Sequence, residues 1–114
     1  MKYTPKFQAL ADHARSQVGE VLPTDVDSLM QSGVVALDIR DKEEHDAGHI
    51  TGSMHLSRGK LEMLIESKVQ DFNTPIMCYC NANNRGALSA YTLQKLGYTS
   101  VNFIVGGLNA YREL

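Results

Sequence analysis

The chain has 114 residues, of which 43% are apolar and 21% charged, and its formal net charge at pH 7 is −2. This length favours a single domain, and the nearly balanced charge argues against nucleic acid or an acidic membrane surface as the main partner. No segment approaches the ~20 apolar residues of a membrane span, and the N-terminal residues lack the apolar core of a signal peptide. Composition therefore predicts a cytoplasmic protein with no membrane partner.

The first part of the chain is predicted to be helical. Thr4 followed by Pro5 is typical of a helix start, and apolar residues spaced three and four apart predict a helix over 5–18. A second short helix is predicted to begin at Pro23 and to end by Gly33.

Short apolar strands alternate with helices in the rest of the chain. The predicted strands are 34–37, 54–56, 75–80 and 101–104, and the predicted helices are 41–47, 59–69 and 85–96. Two of the strands, 34–37 and 75–80, are continuous apolar runs, as in strands that are buried on both faces. The pattern predicts a three-layer α/β/α fold with a mostly parallel sheet of about five short strands.

The two cysteines are expected to differ in role. A disulfide between Cys78 and Cys80 would be strained at this spacing, and two cysteines alone cannot complete a structural zinc site. Cys78 lies within a predicted strand and is interpreted as a core residue. Cys80 ends that strand, at the edge of an α/β sheet where ligands bind.

A polar loop separates Cys80 from Arg85. We expect the backbone N–H groups of residues 81–85, the start of the following helix and the Arg85 charge to favour a thiolate at Cys80. Such a thiolate would be a nucleophile for an anionic substrate. The alternative is that Cys80 is a small apolar residue that ends a buried strand.

Several motifs occur together in one order. They are Leu37-Asp38-Ile39-Arg40, Glu44, Gly48-His49-Ile50-Thr51-Gly52-Ser53, Tyr79-Cys80-Asn81-Ala82-Asn83-Asn84-Arg85-Gly86, Gly97-Tyr98 and Gly106-Gly107-Leu108-Asn109-Ala110-Tyr111. This combination resembles the rhodanese-like sulfurtransferase family. The resemblance implies a rhodanese-like domain over 20–114, one compact unit, with 1–19 as an N-terminal helical extension.

The resemblance also implies a reaction of the thiosulfate sulfurtransferase type. Cys80 would take a sulfane sulfur from a small anionic donor such as thiosulfate, hold it as a persulfide and pass it to a thiol or a protein acceptor. No metal or organic cofactor would be needed, and Arg85 would hold the oxyanion end of the donor. The substrate-binding loop would comprise Asn81, Ala82, Asn83, Asn84, Arg85 and Gly86.

Three residues outside the loop are candidate supporting residues. In the family pattern Asp38 and Arg40 help to brace the active-site loop, although both could equally be solvated charges at a strand end. Arg58 could bring a second cation over Cys80 or could simply cap a surface helix. The pair Gly106-Gly107 predicts close packing near the active-site loop.

The loop departs from the family pattern at several positions. Asn83 stands where Gly is usual and is expected to adopt the same left-handed conformation, which Asn tolerates. Asn81 stands where a basic residue is frequent, so the positive charge offered to thiosulfate is smaller. Gly86 stands where Ser is common, and Tyr111 stands where Trp is usual.

Two other functions are compatible with the motifs. The first is a cysteine-dependent phosphatase or arsenate reductase of the same fold. The loop of such phosphatases has five residues between Cys and Arg, one more than lie between Cys80 and Arg85, and the shorter ring suits sulfur better than a tetrahedral phosphate. The second is a non-catalytic rhodanese-like binding module, but such modules usually lack the cysteine.

Overall fold

The computed structural model describes residues 2–114, in which six α-helices and two 3-10 turns surround a five-stranded sheet. The strands are β1 (Gly19–Val21), β2 (Val35–Asp38), β3 (Met54–His55), β4 (Ile76–Tyr79) and β5 (Val101–Ile104). The helices are α1 (Pro5–Gln17), α2 (Val26–Gln31), α3 (Lys42–Ala47), α4 (Leu61–Lys68), α5 (Asn84–Leu96) and α6 (Gly107–Arg112), and the 3-10 turns are Pro23–Asp25 and Arg58–Lys60. Met1, the first residue of the predicted extension, lies outside the described residues.

The predicted start of α1 is confirmed, whereas strand β1 was not predicted. Thr4 Oγ1 accepts a hydrogen bond of 3.3 Å from the N–H of Phe7, as expected of an N-cap residue. The chain then forms β1 directly after α1, and β1 pairs with β5 at the sheet edge. Three residues are too few to show the alternation that identifies a strand, and β1 begins one residue before the predicted domain boundary at 20.

All five strands are parallel, in the order β1-β5-β4-β2-β3, which confirms the predicted fold class. The chain runs outward from β2 to β3, returns to β4 and continues to β5 on the other side. The winding therefore reverses between β2 and β4, and the loops after these two strands diverge. A crevice at such a switch point is where open α/β sheets bind ligands.

Side chains of β4 alternate between the two faces of the sheet, as the pleat requires. Cys78 and Cys80 belong to the core formed with α4 and α5, whereas Met77 and Tyr79 belong to the core that includes Val26 of α2 and Leu108 of α6. Helices thus cover both faces of the sheet, so the predicted three-layer arrangement is confirmed.

Helix α1 lies on the outer side of α5. Ala11 and Ala14 of α1 are buried against Leu88 of α5, with Phe7 and Tyr91 packed around them. Small residues at the contact allow the two helices to approach closely. Among the described residues the longest helices have 13 residues, and none is long and apolar enough to cross a bilayer.

A larger side chain within the α1–α5 contact should destabilise the fold. Ala14 is fully buried, so Ala14→Leu must displace Leu88 or separate the helices, and we expect the free energy of unfolding to fall by about 1–3 kcal/mol. Ala9→Leu on an exposed face of the same helix should change it by less than about 0.5 kcal/mol. Urea unfolding measures both variants, and equal effects would show that α1 does not depend on this contact.

Candidate active site

Cys80 lies at the predicted edge of the sheet, directly after β4 and next to the end of β2. Its side chain is almost fully buried, and Sγ accepts a hydrogen bond of 3.3 Å from the N–H of Gly86. Because α5 begins at Asn84, Gly86 carries one of the first N–H groups of the helix, which have no acceptor within it. This donor lies one residue beyond the range 81–85 that was expected to surround the sulfur.

The start of α6 holds the loop backbone from the other side. The N–H of Leu108 donates to the carbonyl oxygen of Cys80 over 2.8 Å, and the N–H of Asn109 donates to that of Asn81 over 3.1 Å. Gly107 has a φ of +56°, and a Cβ there would lie 2.2 Å from the Cys80 oxygen. The predicted close packing of this glycine near the loop is therefore confirmed.

Asn83 does not adopt the left-handed conformation, so that expectation was wrong. Its φ is −124°, and every residue with positive φ in the described chain is a glycine. Asn83 Oδ1 accepts a hydrogen bond of 2.8 Å from the N–H of Gly106, and its carbonyl oxygen accepts one of 2.9 Å from the N–H of Ala87. These two bonds hold the loop without backbone strain at Asn83.

Arg85 is paired with a carboxylate that the sequence argument named only as part of a motif. Arg85 Nη1 and Nη2 lie 2.8 and 2.9 Å from the two carboxylate oxygens of Glu44. Hydrogen bonding from Arg85 lowers the pKa of Glu44 to about 2, and the same contact raises the pKa of Arg85. The cation next to Cys80 is thus largely compensated.

The role of Glu44 was missed because its partner lies far away in the sequence. Asp41 and Glu44 have the spacing of a capping box, and Glu44 does accept a hydrogen bond of 3.0 Å from the N–H of Asp41. That local signal identifies the start of α3. It does not indicate that the same carboxylate reaches Arg85, which the sheet topology brings beside it.

Asp38 and Arg40 form a buried ion pair behind the loop. Arg40 Nη2 lies 2.7 Å from Asp38 Oδ2, and Arg40 Nη1 donates to Oδ1 of Asn81 over 3.1 Å. Asn81 in turn donates to Glu44 over 3.1 Å. Burial alone would raise the pKa of Asp38, but hydrogen bonds from Arg40 and His45 outweigh it and lower that pKa.

Two histidines support this ion pair. His45 Nδ1 lies 2.8 Å from Asp38 Oδ2, and His55 Nε2 lies 2.8 Å from the carbonyl oxygen of Arg40. The rings of His45 and His49 are stacked with centroids 3.7 Å apart. The network therefore joins the end of β2 to α3 and to the loop after β4.

Cys80 does not line the groove that contains Arg58, although Arg85 does. Arg58 lies in the second 3-10 turn and lines a neighbouring groove of about 460 Å³ together with Arg85 and Asp41. Ala82 is exposed at the tip of the loop. Cys78 is fully buried, as predicted for a core residue, and burial raises the pKa of its thiol.

Cys80 opens into a cavity of about 710 Å³. The loop forms one wall, the start of α3 forms a second, and the N-terminal part of the chain forms a third. The lining residues are Tyr3, Phe7, Gln8, Asp12, Arg15, Asp41, Glu44, Cys80, Asn81, Ala82, Asn83, Asn84 and Arg85. The position of α1 at the site was not predicted, because amphipathic spacing shows that a helix packs on something without showing where.

Comparisons with known proteins agree with this fold. Residues 22–114 match the Rhodanese-like domain family. The thiosulfate sulfurtransferase GlpE of Pseudomonas entomophila is 32% identical over 98 residues, a match that covers 86% of this chain and 88% of that protein.

Two solved structures are similar over nearly the whole chain. A Rhodopseudomonas palustris protein of unknown function, described as a "Possible Tyrosine Phosphatase", has a TM-score of 0.86 and 33% identity over 99% of this chain and 93% of its own. The polysulfide-sulfur transferase homodimer of Wolinella succinogenes has a TM-score of 0.78 and 28% identity over 95% and 82%. The first match extends over α1.

Replacing either of two glycines next to Cys80 with alanine should have different effects on stability. A Cβ at Gly107 would overlap the loop carbonyls, so we expect Gly107→Ala to lower the free energy of unfolding by about 2 kcal/mol or more. A Cβ at Gly86 would lie 3.5 Å from its nearest neighbours, so Gly86→Ala should change it by less than about 1 kcal/mol. Urea unfolding of both variants checks this, and a similar loss in both would contradict it.

The Glu44–Arg85 pair should make stability depend on pH. Because the pKa of Glu44 is lowered in the folded state, its contribution is present above its usual pKa and is lost as pH falls from about 4.5 through about 2. We expect Glu44→Gln to cost about 1–2 kcal/mol at pH 7, a value reduced for partial exposure, and less at pH 3. Urea unfolding at both pH values measures this, with Glu113→Gln as control, and a pH-independent difference would refute it.

Proposed function

Because this chain belongs to the rhodanese-like sulfurtransferase family, we propose that it transfers a sulfane sulfur through a persulfide on Cys80. The observation that carries the proposal is the position of Cys80 Sγ, which lies at the switch point of the sheet, lines the cavity and accepts a hydrogen bond from Gly86. A buried cysteine that merely ended a strand would not require an open cavity beside it.

The first half-reaction loads the enzyme. The Cys80 thiolate attacks the outer sulfur of a donor such as thiosulfate, a new S–S bond forms, and the old S–S bond breaks with its electron pair leaving on sulfite. The Gly86 N–H that faces Sγ stabilises the negative charge of the attacking thiolate, and after the transfer that charge lies on the terminal sulfur of the persulfide. The reacting thiolate and the persulfide each carry one negative charge, so the charge of the site does not change when Cys80 is loaded.

The second half-reaction discharges the enzyme. A thiolate acceptor attacks the terminal sulfur of the persulfide, takes that sulfur, and releases Cys80 as a thiolate. The sulfur is the only group transferred, and the proton count of Cys80 is unchanged over the cycle. A small sulfur donor and a thiol on a small molecule or a protein are therefore the proposed partners.

The other predicted residues act through the shape of the loop. Arg40 holds Asn81, and Asn84 is held by Gln8 through two hydrogen bonds of 3.1 Å between their side-chain amides. Arg85 keeps its bidentate contact with Glu44 and offers the remaining donors of its guanidinium to the loop mouth. The contribution of Arg40, Asn81 and Asn84 to the reaction is positional, whereas Arg85 holds the oxyanion end of the donor.

Incubation with a sulfane donor should load Cys80 alone. We expect intact-mass measurement after treatment with thiosulfate or methanethiosulfonate to show a gain of one sulfur atom that disappears on addition of a thiol. Cys80→Ser should show no gain. Cys78→Ala should retain it, because Cys78 is fully buried in the core.

Two results would overturn this proposal. One is a sulfur adduct that persists in Cys80→Ser. The other is the absence of an adduct with every donor together with turnover of an aryl phosphate, which would favour the phosphatase alternative.

A further inference from the structure

The cavity at Cys80 has a wall that lies outside the region matched to the family. Tyr3, Phe7 and Gln8 line it, whereas the family match covers residues 22–114. Gln8 fixes this wall to the active-site loop through its paired amide bonds with Asn84. The N-terminal segment is therefore built into the site rather than lying beside it.

The size of the cavity exceeds what a small inorganic ion fills. Its volume of about 710 Å³ lies in the range of roughly 300–1,000 Å³ that is typical of pockets for organic ligands. Thiosulfate bound next to Cys80 would leave the space between the loop and α1 to water. An organic donor could fill both parts.

The charges around the cavity do not favour a dianion. Arg85 is paired with Glu44, and Arg15 Nε lies 2.8 Å from Glu20 Oε1, so each cation of the lining faces a carboxylate. Asp12 and Asp41 add two further negative charges to the same lining. Like charges in a partly enclosed site repel, and the repulsion grows with the charge of the ligand.

The N-terminal wall presents aromatic surface to the cavity. The rings of Tyr3 and Phe7 are in contact, with centroids 5.3 Å apart and planes tilted by 44°, and Tyr3 is 47% exposed. Aromatic rings at a cavity wall bind other rings and apolar groups, with about 0.5–1.5 kcal/mol from ring geometry beyond the area buried. The wall therefore suits an apolar or aromatic ligand body.

From these observations we propose that α1 and Tyr3 form a specificity wall. It selects an organic sulfane donor that has an aromatic or apolar body and a single negative charge, over the inorganic dianion. The proposal rests on the proposed sulfur transfer at Cys80 and names the substrate class of that site.

The transfer from such a donor is balanced without a further reactant. With an organic thiosulfonate, the Cys80 thiolate attacks the terminal sulfur, the S–S bond of the donor breaks, and its electron pair leaves on an organic sulfinate. One persulfide anion and one sulfinate anion replace one thiolate and one thiosulfonate anion. The organic body stays on the sulfinate, against the aromatic wall.

Three probes separate the effect of the ring from that of charge. Benzenethiosulfonate and methanethiosulfonate carry the same charge and the same transferred sulfur, and only the first has a ring, whereas thiosulfate is a dianion. The rate of persulfide formation on Cys80 is measured for each probe by rapid-quench mass spectrometry, at fixed ionic strength.

Truncating the wall should affect one probe selectively. We expect Phe7→Ala and Tyr3→Ala to slow loading by benzenethiosulfonate about three- to tenfold and to change loading by methanethiosulfonate less than twofold. Leu10→Ala, on an exposed face of the same helix, is the matched control and should change neither. Tyr3 precedes α1 and is half-exposed, so Tyr3→Ala provides a test even if Phe7→Ala unfolds.

Removing a carboxylate should affect the dianion most. We expect Asp12→Asn to raise loading by thiosulfate about two- to fivefold relative to methanethiosulfonate, and Glu113→Gln, far along the chain, to leave that ratio unchanged. Selective effects of both kinds would support the specificity wall.

The failures of the two proposals can be told apart. The specificity wall would be overturned if all three probes load Cys80 and each wall variant slows either every probe equally or no probe. That result would leave the proposed sulfur transfer intact. No loading by any probe would overturn both.

Discussion

The hydrogen bonds from the start of α6 to the loop after β4 hold the shape on which the site depends. The loop must turn away from a buried strand and begin α5 within a few residues, so its carbonyl oxygens cannot be satisfied by the sheet. Leu108 and Asn109 supply the missing donors to Cys80 and Asn81, and Gly107 permits the approach because it has no Cβ. With the carbonyls directed toward α6, the N–H of Gly86 is left to face the sulfur.

Charge around the loop is compensated pair by pair. Asp38 is paired with Arg40, and Glu44 is paired with Arg85. Asn81 joins the two pairs, because it accepts a hydrogen bond from Arg40 and donates one to Glu44. Such a network holds the loop in place because each buried polar group loses its partner if the loop moves. It also means that the cations beside the loop are paired with carboxylates, and a paired guanidinium attracts a dianion less strongly than a free one would.

Helix α1 adds a layer to the family fold and changes the surroundings of the proposed nucleophile. Its small residues pack against α5, its Gln8 pairs with Asn84, and its Phe7 lines the cavity together with Tyr3, which precedes the helix. The cysteine of the proposed reaction therefore shares its cavity with a surface that the matched domain does not contain. Under the two proposals, the core domain supplies the reacting cysteine and the N-terminal segment supplies the selectivity.

Much of this architecture was predictable from local pattern. Continuous apolar runs identified β2 and β4, Thr4 and Pro5 identified the start of α1, and the order of short motifs identified the family. The position of Cys78 within a predicted strand identified it as a core residue. Each of these conclusions depends on residues that are close in sequence, where periodicity and capping express local sterics and solvation directly.

Tertiary structure decided what depends on distant partners. The parallel sheet brings Glu44 beside Arg85, and the packing of α1 on α5 brings Gln8 beside Asn84. These partners are far apart in the sequence, so no local spacing predicts the contacts. Asn83 accepts a hydrogen bond from the N–H of Gly106 and has a negative φ, instead of the left-handed conformation that was expected from its position in the loop. The sequence by itself determined which residue could be a nucleophile. The packing of distant segments decided which donor faces that residue and which side chains line its cavity, because both depend on which groups meet in space.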